Sequence, residues 1–180
     1  MINTNILDKR QTYVCLEYGT GAISKIIMDL TKVYCPEATR VPSHVFALVY
    51  ELGNWYVYES HMRGNKKPNI PSGCRRYDIN MLQDVFPKVW EQSEVYKVRL
   101  TKKTLRNLLG EPYGTGDIYE IFKARLKKKF ARKDRNGFIC SEYLARACYK
   151  IQRHFNLAAN QITPAHWLKY MIDNSIERIS

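Results

Sequence analysis

The sequence predicts an α+β fold, and three observations carry that expectation. Residues 43–50 and 55–60 are two runs of strand formers separated by Glu51-Leu52-Gly53-Asn54, the pattern of an antiparallel hairpin. From Ile139 the apolar residues Ile139, Tyr143, Ala147 and Ile151 recur four apart, with Leu144, Cys148 and Phe155 alongside, which reads as one helix to about Phe155. The chain has 180 residues, 45% hydrophobic and 26% charged, enough to bury a core in a single domain over 1–180 and too apolar for a disordered chain.

The remaining elements follow in order. Residues 1–11 read as a polar, partly mobile leader. Residues 12–18 have strand composition. Gly19-Thr20-Gly21 then opens a short helix with Ala22, Ile23, Ile26, Ile27 and Leu30. That Gly-x-Gly lacks the third glycine of a dinucleotide site and the lysine of a P-loop, so it reads as a tight strand-to-helix turn. If the hairpin closes through four residues, Tyr50 faces Trp55 and Phe46 faces Glu59. His44 then shares a face with Glu59 one diagonal step away, and His61 lies directly opposite it as a rival partner.

Residues 61–76 read as a basic loop with Gly64, Pro68, Pro71 and Gly73. A helical patch follows at 79–86 and a strand at 95–100. Thr101 is placed to cap a helix over 102–109, which Gly110 ends. Glu111-Pro112-Tyr113-Gly114-Thr115-Gly116 is a glycine-rich turn. From Asp117 an amphipathic helix is expected, with Ile118, Ile121, Phe122, Leu126 and Phe130 as its stripe. Thr163-Pro164 then reads as N-cap and first residue of a last helix over 165–172.

Charge and cysteine usage bound the function. Lys and Arg number 29 against 17 Asp and Glu, a net charge of +12. More than half of that excess lies in 123–135, where Lys123, Arg125, Lys127, Lys128, Lys129, Arg132, Lys133 and Arg135 face only Asp134. Such a face is either solvated or a docking surface for an anionic polymer or membrane, with Lys123, Lys127, Lys128 and Arg132 as contacts. Few aromatics interleave with these charges, which weakens a base-stacking role. Cys15, Cys35, Cys74, Cys140 and Cys148 are odd in number and form no CxxC pair, so neither a disulfide framework nor a zinc site is expected. The first residues lack a secretory h-region and no window approaches a membrane span, so cytoplasmic synthesis with free thiols is expected.

The chemistry-bearing stretch is 137–148. Cys140 falls in the first turn of its expected helix, where free N–H groups and the dipole favour a thiolate. Taken alone, Cys140 reads first as a small buried apolar residue. His44 changes the reading, because a thiol needs a nearby base to act as a nucleophile.

Together these motifs resemble a known family. A strand opening Ser-His-Val, a hairpin ending Tyr-Val-Tyr-Glu-Ser, a Leu-Gly-x-x-Tyr-Gly turn, Phe-x-Cys-Ser-Glu-Tyr-Leu at a helix start and a late Thr-Pro occur here in that order. Over residues 12–170 this is similar to the circularly permuted branch of the NlpC-type papain-like cysteine hydrolases, the YiiX-like group. His44 precedes Cys140, the permuted order. The resemblance implies an antiparallel, partly barrel-like sheet with the nucleophile helix packed against it. It implies Cys140 as nucleophile, His44 as base and then acid, and Glu59 as the group that orients the imidazole. Tyr113 would line the site, and backbone N–H groups at the start of the Cys140 helix would hold the oxyanion. Ser141 and Glu142 are expected to cap that helix and complement its dipole. No metal or organic cofactor is implied.

The expected reaction is hydrolysis of a peptide or amide through an acyl-enzyme, with cell-wall peptide as the leading substrate and a phage or virion as the route to it. The alternatives are a lipid- or acyl-directed thiol acyltransferase or hydrolase at an anionic membrane, and a non-catalytic basic binding module. Oligomeric state is not legible.

Overall fold

The computed structural model describes residues 2–62, 70–114 and 137–179. It is an α+β structure built on one antiparallel sheet of five strands. The strands are β1 (Thr12–Glu17), β2 (His44–Glu51), β3 (Asn54–His61), β4 (Gly73–Asp78) and β5 (Ser93–Lys97), in the order β4-β3-β2-β1-β5. The sheet is open, with β4 and β5 as its edges. The helices are α1 (Ala22–Thr31), α2 (Ile79–Val85), α3 (Pro87–Glu91), α4 (Lys102–Asn107), α5 (Cys140–Arg146), α6 (Tyr149–Phe155) and α7 (Pro164–Asp173).

The strands are apolar on both faces because both faces are covered. Val45, Ala47 and Val49 join one core with Tyr143, Leu144, Ile151 and Trp167 from the C-terminal helices. Phe46 and Leu48 point the other way, into a second core with Trp55, Leu82 and Trp90. The expected polar leader belongs to that second core: Ile2 and Leu7 are buried in it, and the Asp8 N–H donates to the Tyr13 hydroxyl at 2.7 Å. Two apolar side chains in an otherwise polar stretch are enough to anchor it.

The hairpin has the expected register, Tyr50 opposite Trp55, but closes through two residues instead of four. Leu52 (φ 51°) and Gly53 (φ 85°) both lie in the left-handed region, the geometry that suits a two-residue connection between twisted strands. Glu51 and Asn54 therefore still pair.

Three local expectations change. The single helix from Cys140 to Phe155 is two, α5 and α6, broken at Ala147-Cys148. The Ala147 carbonyl accepts the Thr101 N–H at 2.9 Å and the Ala145 carbonyl accepts Gln152 Nε2 at 2.7 Å, so these carbonyls serve tertiary contacts. Residues 73–78, read as the end of a loop, form β4, and Pro87–Glu91 adds α3 after α2. Thr101 stands at the N-cap of α4 without a side-chain cap bond, whereas the Thr163 hydroxyl does accept the His166 N–H at the start of α7. The expected helix over 117–130 and the basic residues Lys123, Lys127, Lys128 and Arg132 lie outside the described residues.

Helix α5 packs on β2 and β3, and its residues from Cys140 to Ala145 are all buried. Polar ties fix its position as well as packing does. The Tyr143 hydroxyl donates to the Leu105 carbonyl at 2.8 Å, and Ser141 Oγ donates to the Ile162 carbonyl at 2.7 Å. Ser141 therefore does not cap the helix; Ile139 holds the N-cap position with no side-chain bond, and Glu142 alone supplies an acidic side chain to the first turn.

Candidate active site

His44 opens β2 and stands directly opposite Glu17 of β1. The hairpin register brings it to Glu59, and His44 Nε2 lies 2.8 Å from Glu59 Oε2. With Nε2 so engaged, Nδ1 is the ring nitrogen left over, and the imidazole borders the same cleft as the Cys140 thiol. The His61 ring meets His44 edge to face, with centroids 5.4 Å apart, so Glu59 and not His61 is the group on the ring nitrogen.

Strand β4 completes the carboxylate's surroundings. It pairs Arg75 with Glu59 and brings Tyr77 to the same face. Arg75 Nε and Nη2 donate to Glu59 Oε1 at 2.8 and 2.6 Å, and the Tyr77 hydroxyl donates to the same oxygen at 2.9 Å. Arg75 is itself 3% exposed, and its Nη1 donates to the Pro71 carbonyl. One carboxylate oxygen is thus saturated by fixed donors and the other is turned to His44. This geometry locks both the carboxylate and the ring it faces.

The electrostatics follow from the packing. Burial alone would raise the Glu59 carboxyl, but the hydrogen bond and charge of His44, and then the charge of Arg75, hold it far below the usual carboxylate range. Burial alone would lower His44; the Cys140 sulfur, followed by Glu59, reverses this and holds the imidazole well above its ordinary value. Burial and the Glu59 charge push the Tyr77 phenol up, so it remains a donor.

Cys140 is delivered by a backbone junction. Phe138 N–H donates to Pro112 O at 2.9 Å, Gly114 N–H to Phe138 O at 3.3 Å, and Ser60 Oγ to the same Phe138 carbonyl at 2.5 Å. Gly137 makes the junction possible. Its φ is 114°, and a Cβ there would stand 2.7 Å from the Pro112 oxygen and 2.8 Å from the Tyr113 carbonyl carbon. The glycine-rich turn and the entry to α5 can approach only because neither side presents a side chain at that point.

The four expected site residues come together. Cys140, His44 and Tyr113 border a cleft of about 210 Å³ along with Glu17, His61 and Ile23, and Glu59 stands behind the imidazole. A thiol, an imidazole and a carboxylate in this order can pass a proton from sulfur to Nδ1 and stabilise the resulting ion pair. The other cysteines have a different environment. Burial pushes the thiols of Cys15, Cys35 and Cys148 up, and that of Cys74 to about 12.

Sequence reasoning missed Arg75, Tyr77 and Glu17. Arg75 falls in the stretch 61–76 that reads as a basic loop, and an inward arginine has no local signature apart from its partner. Glu17 was assigned to a strand, but only the β1–β2 pairing reveals that it faces His44. Among the described residues no helix is long and apolar enough to cross a membrane, and no group of three His, Cys, Asp or Glu is placed to hold a metal. The constellation rests on its own geometry, since no protein-family model matches this sequence and no curated protein does.

Proposed function

We propose that the protein is a cysteine hydrolase of the peptidase or amidase type, with the permuted papain-like arrangement. Cys140 attacks an amide or ester carbonyl and His44 takes the thiol proton. Glu59 holds the ring in the tautomer that leaves Nδ1 facing sulfur. The tetrahedral oxyanion is met by N–H groups in the first turn of α5, which have no intrahelical partner. Collapse of this intermediate expels the leaving group with the proton from His44. Water, deprotonated by the same imidazole, then cleaves the acyl-enzyme.

The observation that carries this reading is the contact between residues remote in sequence. The His44 imidazole shares one cleft with Cys140, whose sulfur acts on it, and lies 2.8 Å from Glu59 Oε2. A structural cysteine needs neither neighbour. Peptide or amide is the substrate class, with cell-wall peptide the first to assay and a phage or virion the context in which to seek it.

The test is alkylation by iodoacetamide across pH, read by mass at each cysteine. Cys140 is expected to label faster than the other four cysteines at neutral pH, and His44→Ala to abolish that advantage. Equal labelling of all five cysteines would sink the assignment.

A second reading, an acyl-directed enzyme at an anionic membrane, is favoured by one feature. Ile23 and Ile26 of α1 are 45% and 39% exposed, and Ile23 borders the cleft. Co-sedimentation with liposomes that rises with anionic lipid content would support it; binding independent of that content would remove it.

A further inference from the structure

One carboxyl group on the cleft lacks a hydrogen-bond donor among the described residues. Glu59 is matched by Arg75 and His44, and the His44 imidazole faces the Cys140 sulfur. Glu17 has no such donor: burial pushes its carboxyl up, the His44 charge opposes this, and the Glu59 charge adds to it. It stands opposite His44 at the end of β1 and borders the same cleft as Cys140 and Tyr113. It also borders a small adjoining cavity with Glu59, His61 and Arg75. Its main-chain carbonyl is occupied, accepting the Ser43 N–H at 2.9 Å. Its carboxylate has no hydrogen bond or salt bridge among the described residues, although it is only partly exposed.

A half-buried carboxylate without a donor is unfavourable, and it either takes up a proton, the direction in which burial pushes Glu17, or is held ionised by a cationic partner. Here it stands beside the nucleophile, in a cleft whose other wall at Ile23 is apolar. The orienting role on His44 is already filled by Glu59. The outer charge of the protein does not account for it either, since the chain is +12 overall and would attract anions to an ordinary surface. A carboxylate inside the cleft of a cationic protein selects for the opposite charge at that point.

We propose that Glu17 is the binding group for a protonated amine on the substrate, so that the cleft takes acyl compounds bearing an ammonium group near the scissile carbonyl. This rests on the reading of Cys140 as the nucleophile and narrows the substrate class. Amides and peptides with a free amino group next to the reacting bond fit, and the same compounds acylated on that amine do not. Glu17 acts by holding this group, and the apolar surface of Ile23 receives the uncharged part of the molecule.

The experiment needs no knowledge of the natural substrate. Three methanethiosulfonate reagents of similar size are compared on the whole protein, one carrying an ammonium, one uncharged and one carrying a sulfonate. In each the Cys140 sulfur forms a disulfide and a sulfinate leaves, and the rate is read from the mass of the Cys140 peptide. Glu17→Gln, checked by circular dichroism and melting temperature, removes the charge and keeps the shape. The ammonium-to-sulfonate rate ratio is expected to fall roughly tenfold in Glu17→Gln, the scale of one charge–charge interaction at a few Å in a half-buried site, with the neutral reagent little changed. An unchanged ratio, or equal slowing of all three reagents, overturns the proposal. His44→Ala separates the two readings. If it leaves the neutral reagent's rate and pH profile untouched while the charge preference persists, the catalytic reading fails and the ammonium site stands.

Discussion

Replacing Arg75 by Met tests the physical basis of the site more sharply than altering the triad does. Arg75 is 3% exposed and gives two of the three donors on Glu59 Oε1, at 2.8 and 2.6 Å. Met fills much of the same volume but leaves a buried carboxylate with only Tyr77 and His44. Breaking a buried pair on one side costs about 3–5 kcal/mol, a large fraction of the roughly 5–15 kcal/mol that holds a domain together.

Urea unfolding at pH 7 measures this, and the double variant Glu59→Gln/Arg75→Met calibrates it. With the charge gone, the second substitution should cost about 2 kcal/mol less than it does alone. The pH dependence adds an independent check. Glu59 is held far below the usual carboxylate range, so its stabilising contribution is complete above about pH 4.5 and is lost as pH falls toward the folded value. In Arg75→Met the folded value moves up toward 4.5, so the gap between wild type and variant should narrow as the pH falls below about 4.5. A cost under about 1 kcal/mol, or strict additivity in the cycle, would refute the view that Arg75 secures Glu59.

Two further predictions follow from buried groups and close approaches. His166 is 5% exposed, its Nδ1 accepts the Thr163 N–H at 3.1 Å, and burial pushes it down to about 4. Below about pH 6.5 the unfolded chain takes up a proton that the folded one refuses. This contribution is therefore complete above 6.5 and lost as pH falls toward 4, up to about 3 kcal/mol. His166→Gln should flatten the stability profile between those values, and a profile identical to wild type would contradict the burial argument. Gly137→Ala places a Cβ against the Pro112, Tyr113 and Gly114 backbone at a φ of 114°. It should cost about 2 kcal/mol or more and slow Cys140 alkylation, and a variant as stable and reactive as wild type would show that the junction is slack.

The features legible in the sequence were those specified locally. The β2–β3 hairpin declared itself by two strand-forming runs and a turn, and the register survived an error in loop length because two-residue and four-residue closures share the pair Tyr50–Trp55. Thr163-Pro164 announced α7 through capping chemistry that needs only three residues. The break between α5 and α6 was not legible. The apolar period of four runs straight through Ala147, and at the break Thr101 and Gln152 donate to the Ala147 and Ala145 carbonyls. Strand β4 was hidden for a related reason, because Arg75 on a core face looks like a surface residue until Glu59 is known to be its partner.

The same division separates the parts of the site. His44 and Glu59 belong to one hairpin, so their meeting depends on a short stretch of chain and could be derived from the period of two along a strand. The Cys140 contact depends on a junction from another part of the chain: Ser60 and Pro112 hold Phe138, and Gly137 permits the approach. None of these contacts leaves a periodic trace, and the resemblance alone raised the expectation. Glu17 shows the limit most clearly. A glutamate ending a strand is ordinary in sequence, and only the pairing of β1 with β2 puts it opposite an imidazole, on a cleft shared with a thiol. The orienting half of such a site can be read from local pattern, whereas its selectivity depends on which remote strand folds alongside.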